Sequence, residues 1–337
     1  MLTNNKEKAK EILKTYNRKM GLIYKKITSL KPLSSLKLPE TLPSKVDLRN
    51  QMTPIKDQGP LGTCASFAGA GAKEYYDSKE YNKMMDLSEY YLYYYAKKLD
   101  GYPNEEGTTL EAIAYALQLY GICEENYYPY NPNHYPEDPP SDIANKNAKK
   151  YIITNFYSLD SVDDIKKALY QEGAIYIGVL VAENFMSPKN GFIPIPDGNV
   201  LGGHALCVAG YDDSLISPWG NKGAFIVKNS WGTSWGDKGY CYIPYDVMNW
   251  VDKDGYIPFY WGGIGMIDYI EPQKITIEMW IGKDTAKVNG KDVKLDQPPI
   301  IDPKSNRTLI PVRFVAENLG CQVDWDGTHK KITIKQL

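Results

Sequence analysis

The chain has 337 residues and a formal net charge of −2, and 43% of its residues are hydrophobic. This length provides for one large core-forming domain and a second, smaller unit. No apolar run reaches the length of about 18 residues that a membrane-spanning helix needs, so we expect no membrane span.

The first 40 residues differ from the rest of the chain in charge. They hold ten lysine or arginine residues and three glutamates, a net charge of +7, so the remaining chain carries −9. Apolar residues recur every three or four positions, which predicts an amphipathic helix with a continuous apolar stripe. The stripe consists of Ile12, Tyr16, Met20, Ile23, Ile27 and Leu30. A basic helix of this kind can seek a membrane surface or a nucleic acid.

A cysteine follows a glycine-rich turn in the run Asp-Gln-Gly-Pro-Leu-Gly-Thr-Cys-Ala-Ser-Phe at residues 57–67. Cys64 stands at the start of a predicted helix, where the positive end of the helix dipole lowers the pKa of a thiol. The amide of Gln58, six residues upstream, can donate a hydrogen bond to a developing oxyanion. This segment therefore predicts a nucleophile that needs a base from elsewhere in the chain.

Only one of the three histidines suits the role of that base. His134 lies in a proline-rich loop and His329 in a polar turn, whereas His204 lies in an apolar run, Gly-Gly-His-Ala-Leu. Asn229 begins the run Asn-Ser-Trp-Gly-x-x-Trp-Gly and provides an amide that can orient an imidazole. The order glutamine, cysteine, histidine, asparagine thus runs through one chain.

These segments resemble the papain-like cysteine proteases, and the resemblance spans residues 42–269. It implies an α+β fold of two halves, a helical half followed by a β-barrel-like half, with the active-site cleft between them. It implies an endopeptidase in which the Cys64 thiolate, paired with the His204 imidazolium, attacks the peptide bond and forms a thioester. Asn229 then orients His204, and Gln58 joins the Cys64 backbone amide in the oxyanion hole. No cofactor is implied.

The resemblance also assigns substrate binding to eight residues, namely Gly107, Thr108, Thr109, Leu110, Gly178, Gly203, Ala205 and Trp231. Gly107 and Thr108 align with the two-glycine strand that pairs with the substrate backbone, although the second glycine is absent here. The pocket behind this strand is predicted to be apolar. The family usually has a cysteine at the position of Leu61, bridged to the segment before Gly107, and that bridge cannot form in this chain. We read Cys123, Cys207 and Cys241 as buried free thiols.

The predicted elements follow the order of the two halves. Helices are expected at Thr63–Tyr81, Ser88–Leu99 and Thr109–Tyr120. Strands are expected at Ala174–Val181, His204–Tyr211, Ala224–Asn229 and Gly239–Ile243. Because the basic segment precedes the protease-like region, the resemblance implies that residues 1–40 are an inhibitory pro-segment, cut near Lys37–Leu42. We expect protein or peptide substrates and no nucleic-acid partner.

The last part of the chain has its own pattern. Residues 275–281 alternate as a strand, Asn289-Gly290 and Asp326-Gly327 predict hairpin turns, and residues 311–320 predict a short helix between Pro311 and Gly320. This segment resembles the small α+β domain named after the N-terminal domain of copper amine oxidases, which is appended to many secreted proteins of Gram-positive bacteria. It has one histidine and one cysteine and no ligand-spaced cluster, so no metal site is predicted.

We divide the chain into a pro-segment at 1–40, a protease domain at 41–272 and a C-terminal domain at 273–337. The C-terminal resemblance favours a secreted or cell-surface protein that binds a wall or surface component. The lysine-rich start does not look like a signal peptide, so a processed exported chain and a cytoplasmic protein both stay open. Two other functions also stay open, a peptidoglycan amidase or endopeptidase of the broader Cys-His group and a surface-attached binding protein.

Overall fold

The computed structural model describes residues 2–27, 30–33, 41–268, 275–319 and 321–336. The chain divides into two compact units, Met1–Tyr269 and Ile270–Leu337. The described helices of the larger unit are α1 (Lys6–Thr15), α2 (Cys64–Glu80), α3 (Glu89–Leu99), α4 (Leu110–Leu119), α5 (Asp142–Ala148), α6 (Val162–Gln171) and α7 (Tyr245–Met248). Its described strands are β1 (Leu2–Thr3), β2 (Lys45–Asp47), β3 (Ile153–Leu159), β4 (Ile175–Ala182), β5 (Gly198–Ile216), β6 (Lys222–Lys228), β7 (Tyr240–Pro244) and β8 (Tyr260–Asp268).

The helical half is stabilised by side chains that cap its helices and by close helix packing at small residues. The side chains of Ser88 and Thr109 accept hydrogen bonds from the first turns of α3 and α4, which satisfies backbone donors that have no partner inside a helix. Helix α2 is buried along most of its length. Its Gly69 lies so close to Ile113 of α4 that a Cβ atom would overlap the isoleucine side chain. The three helices predicted here are confirmed to within two residues at each end.

The second half is a sheet in the order β3-β8-β4-β5-β6-β7, all antiparallel, with β1 and β2 added along β5. Strand β5 is 19 residues long and pairs with β1, β2, β4 and β6. Helix α2 packs along β5, where a Cβ atom added at Gly71 would lie 3.7 Å from Cys207 Cβ. Because α2 begins with Cys64 and β5 carries His204, this packing joins the two halves at the predicted nucleophile and base. The α+β fold and the four predicted strands are confirmed.

The prediction of one long amphipathic helix in the first 40 residues is wrong. Helix α1 ends at Thr15, and residues 18–27 form no helix. Asn17 adopts a left-handed conformation, with φ of 51°, which ends the helix. From there the chain crosses the surface between the halves, and Leu22 is buried between residues 108 and 203. Beyond Asn17, Met20 and Ile27 contact the protease body from a chain that is not helical, so their spacing does not reflect a helix face.

The smaller unit contains three small sheets and one helix among its described residues. They are β9 (Ile277–Met279), β10 (Thr285–Val288), β11 (Lys291–Lys294), β12 (Ile300–Ile301), β13 (Thr308–Leu309), α8 (Val312–Asn318), β14 (Cys321–Asp326) and β15 (Lys331–Gln336). Asn289 and Gly290 both have positive φ and join β10 to β11, as the hairpin prediction requires. The second hairpin and the helix are also confirmed, whereas the strand predicted at 275–281 is shorter.

Candidate active site

Cys64 opens α2 at the junction of the two halves and has no exposed surface. The backbone amides of Ala205, Gly21, Ala65 and Cys64 itself lie next to its thiol. Burial raises the pKa of the Cys64 thiol to about 11, and these four amides oppose the rise because they stabilise a thiolate. With the cleft covered, Cys64 is therefore a neutral thiol at physiological pH.

His204 is held by Asn229 and by an indole ring. Its Nε2 lies 2.8 Å from Asn229 Oδ1, which also accepts a hydrogen bond from the Ser230 backbone amide at 2.8 Å. Because the Ser230 amide can only donate, the Asn229 atom that it contacts is the amide oxygen. The same oxygen accepts from His204, so Nε2 carries the proton and Nδ1 carries the free lone pair. The Trp231 ring stacks on the imidazole at 4.6 Å between centroids. His204 Nδ1 is buried and has no hydrogen-bond partner among the residues that the structure describes, so it is available to accept a proton.

The protonation state of His204 depends on the covered cleft. Burial lowers the pKa of His204 to about 4, the Asn229 hydrogen bond acts against this fall, and the nearby Arg18 cation adds to it. The imidazole is therefore neutral at physiological pH while residues 18–23 lie over it. The thiolate–imidazolium pair expected from the sequence is not the state of this covered site.

Gln58 is buried beside the start of α2, and its amide orientation is set by two hydrogen bonds. Its Oε1 accepts from Ser230 Oγ at 2.6 Å, and its Nε2 donates to the Leu61 carbonyl oxygen at 2.7 Å. An amide nitrogen has two hydrogens, so one remains for a further acceptor. The Gln58 backbone amide also donates to the Ser230 carbonyl oxygen at 2.9 Å. Ser230 thus connects the Gln58 amide to the His204–Asn229 pair.

A segment of the chain's own N-terminal region occupies the cleft above these groups. The Leu22 amide donates to the Gly203 carbonyl oxygen at 3.1 Å. The Thr108 amide donates to the Gly21 carbonyl oxygen at 2.9 Å, and the Ile23 amide donates to the Thr108 carbonyl oxygen at 3.0 Å. Residues 21–23 therefore use the backbone groups of residues 108 and 203 that were predicted to bind substrate.

The Leu22 side chain fills the pocket predicted behind this backbone. A Cβ atom at Gly178 would come within 2.5 Å of Leu22 Cδ2 and 3.3 Å of Leu110 Cδ1. Trp261 of β8 closes another side, since a Cβ atom at Gly203 would overlap its ring. The hydroxyl of Thr109 is committed to capping α4, and Ala205 is buried beside Cys64. Gly107 has a positive φ of 89° and lies against the backbone of Gly21.

Charge complementarity holds the same segment on the protease body. Arg18 makes a bidentate ion pair with Asp57, at 2.7 and 3.1 Å, and donates to the Trp231 carbonyl oxygen at 2.8 Å. Three lysines of the segment form further ion pairs, namely Lys8 with Glu183, Lys19 with Glu106 and Lys25 with Glu111. These pairs match the charge difference predicted between residues 1–40 and the rest of the chain.

Strand β1 and the buried side chain of Asn199 anchor the start of the segment. Asn199 Nδ2 donates to the Asn5 carbonyl oxygen at 2.8 Å, and its Oδ1 accepts from the Asn5 amide at 2.8 Å. Sequence reasoning missed Asn199, Ser230, Trp261 and Arg18. Of these, only Ser230 lies inside a motif described above, the Asn-Ser-Trp-Gly run that begins at Asn229.

Three further findings concern the described residues. No group of three or more His, Cys, Asp or Glu side chains within the described ranges is arranged to hold a metal ion. In the same ranges, no helix has the length and apolar character needed to span a membrane. All five cysteines are free, and Cys123, Cys207 and Cys241 are buried, as predicted.

Comparison with known proteins gives two family matches. Residues 42–255 match the papain family cysteine protease, and residues 268–334 match the copper amine oxidase N-terminal domain. An uncharacterized peptidase C1-like protein of Acanthamoeba polyphaga mimivirus is 30% identical over 262 residues, which are 72% of this chain and 79% of that protein. Falcipain-2a of Plasmodium falciparum is 31% identical over 213 residues, which are 62% of this chain and 42% of the relative.

Solved structures agree in fold. Xylellain, a cysteine protease from Xylella fastidiosa, has a TM-score of 0.62 at 24% identity, covering 75% of this chain and 97% of that one. Digestive procathepsin L 3 of Tenebrio molitor larval midgut has a TM-score of 0.56 at 22% identity, covering 77% of this chain and 79% of that one.

Proposed function

The chain belongs to the papain family of cysteine proteases, and we propose that it is a cysteine endopeptidase made as an inactive proenzyme. One observation carries the proposal. Residues 18–23 run through the cleft above Cys64 and His204, and the backbone of residues 21–23 pairs with residues 108 and 203. The thiol faces the backbone amide of Gly21, a donor group, in place of a carbonyl carbon that it could attack.

Each step of hydrolysis has a group on this chain to perform it. Cys64 Sγ attacks the carbonyl carbon of the peptide, and its proton passes to His204 Nδ1. The Cys64 backbone amide and the free hydrogen of Gln58 Nε2 stabilise the oxyanion, each contributing about 3 kcal/mol. The imidazolium then protonates the leaving amine as the C–N bond breaks, which leaves a thioester. Water attacks the thioester carbonyl carbon while His204 Nδ1 takes a proton from it. The C–S bond then breaks, the acid product departs, and the imidazolium returns its proton to Cys64 Sγ.

The occupied pocket supports a preference in the substrate. Leu22 lies among Leu110, Gly178 and Trp261, which are apolar or without a side chain. We propose that the residue two positions before the scissile bond enters this pocket and is preferably apolar. Peptide-library profiling tests this. A dominant preference for lysine or arginine would contradict it.

We propose three functional parts, a pro-segment at 1–40, a protease domain at 41–272 and a C-terminal domain at 273–337. The ion pairs of residues 8–25 support the inhibitory role of the first part, which is cut near Lys37–Leu42. Residues 34–40 lie outside the described residues. The family matches at 42–255 and 268–334 support the other two.

Removing the pro-segment and the thiol tests the proposed activity. A chain starting at Leu42 should hydrolyse casein at once, its Cys64→Ala variant should not, and the full chain should be inactive until it is cut. Hydrolysis of purified cell walls without hydrolysis of casein would favour a peptidoglycan amidase. A chain starting at Leu42 that folds, binds a cell surface and hydrolyses neither would favour a binding protein.

We also propose that the protein is secreted and that its C-terminal domain retains it at the surface of a Gram-positive bacterium. The match to the copper amine oxidase N-terminal domain supports this, and the catalytic candidates all lie in the other unit. A chain ending at residue 271 should keep its turnover and lose binding to cell walls. Insoluble or inactive protein would instead make the C-terminal domain part of the protease core.

A further inference from the structure

The ammonium group of Lys97 donates hydrogen bonds to four oxygens of the loop that follows α3. Its Nζ lies 2.7 Å from Asp100 Oδ2. It lies 2.8 Å from the carbonyl oxygens of Tyr102 and Glu105 and 2.9 Å from that of Gly107. An ammonium group has three hydrogens, so four oxygens use its whole donor capacity.

A cation at the centre of this loop stabilises its conformation. Residues 100–107 form no helix or strand, and three of their carbonyl groups converge on one point. The Asp100 side chain has no exposed surface, and its second oxygen accepts from the Tyr102 amide at 2.8 Å. Without Lys97, the convergent carbonyls and the buried carboxylate would repel one another and lack donors.

The last of these carbonyls belongs to the residue that precedes the substrate-facing backbone. Lys97 holds the Gly107 carbonyl oxygen, and the Gly107 amide donates to Tyr93 Oη at 3.1 Å. Both sides of residue 107 are therefore fixed to α3. Residue 108 follows directly and presents its amide and carbonyl groups to the peptide in the cleft.

We propose that Lys97 is a positioning residue for substrate binding, whose ammonium holds residues 100–107 so that Thr108 meets the substrate backbone. The inference rests on the proposed peptidase function for the role of Thr108. The stabilisation of residues 100–107 by Lys97 does not depend on that function. The resemblance implies a disulfide to this segment in relatives, from the position of Leu61. All five cysteines of this chain are free, so that bridge is absent, and the hydrogen bonds of Lys97 connect the segment to α3.

The first test separates binding from turnover in a chain starting at Leu42. Lys97→Ala should raise KM by about tenfold, equivalent to about 1.4 kcal/mol, and leave kcat within about threefold, because Cys64 and His204 are untouched. Propylammonium, which replaces the deleted part of the side chain, should restore KM. The matched control is Lys98→Ala, since the exposed Lys98 lies over the Tyr94 ring and bonds no loop oxygen in the described residues. An unchanged KM in Lys97→Ala would overturn the proposal.

The second test does not depend on activity. In the full-length Cys64→Ala protein, an endoproteinase specific for glutamate should cut after Glu105 or Glu106 at least about tenfold faster when Lys97 is also alanine. Lys97→Met keeps most of the aliphatic chain and should behave like Lys97→Ala. Equal cutting rates would overturn the proposal, and so would global unfolding of the Met variant, because the role would then not be local. Lys97→Ala could speed the cutting while the wild-type chain starting at Leu42 hydrolyses no peptide. That result would refute the peptidase function and leave the role of Lys97 in the loop intact.

Discussion

The contact between Gly21 and Gly62 gives the sharpest test of how the pro-segment lies in the cleft. A Cβ atom at Gly21 would overlap the Cα, carbonyl carbon and oxygen of Gly62, all within 3.0 Å. These are backbone atoms two residues before the active-site helix α2, so they cannot turn away as a flexible side chain would. Overpacking of this kind costs about 1–3 kcal/mol, which corresponds to an affinity weaker by about 5- to 150-fold.

The assay uses a chain starting at Leu42, a fluorogenic peptide substrate and a synthetic inhibitor comprising residues 2–33. Gly21→Ala in the inhibitor should raise its Ki at least about fivefold. Lys26→Ala is the control, because Lys26 is exposed and should leave Ki unchanged. If the Gly21→Ala peptide inhibits as well as the original, residues 18–23 do not follow the path described and the reasoning is refuted.

Three further predictions concern the same site. Gln58→Ala should lower kcat by about 10²-fold with little change in KM, because it removes one oxyanion donor, and steady-state kinetics with equal kcat would contradict this. Arg18→Gln should weaken the inhibitor by about tenfold, and the loss should shrink at about 1 M salt, where exposed charges are screened; a salt-independent Ki for the original peptide would contradict the ion pairs. Inhibition should also depend on pH. Burial in the covered site lowers the pKa of His204 to about 4, so protonation of the imidazole as the pH falls opposes binding of the inhibitor. Burial raises the pKa of Cys64 to about 11, so ionisation of the thiol at high pH also opposes binding of the inhibitor. A Ki that is constant from pH 5 to 10 would refute this linkage.

The catalytic candidates and most elements could be predicted because their signals are local. Cys64 and Asn229 lie in motifs whose residue types follow from the chemistry. Ser88 and Thr109 precede their helices as capping residues. Asn289-Gly290 requires positive φ, and the chain makes a hairpin there.

The remaining features depend on contacts between distant residues. The apolar spacing of residues 12–30 predicted a helix, but pairing with residues 108 and 203 keeps the chain extended beyond Asn17. Trp261 comes from β8, whose glycine-rich sequence lacks the alternation typical of a strand. Lys97 looks like an ordinary cation in the last turn of a helix, and no sequence pattern shows that loop carbonyls converge on it.

Labelling of the thiol before and after removal of the pro-segment tests the central claim most directly. A peptidyl epoxide would be added to the full chain and to a chain starting at Leu42, and the labelled residue identified by mass spectrometry. The account predicts one adduct, on Cys64, formed rapidly only when residues 1–40 are absent. Equal labelling of both chains, or an adduct on another cysteine, would contradict it.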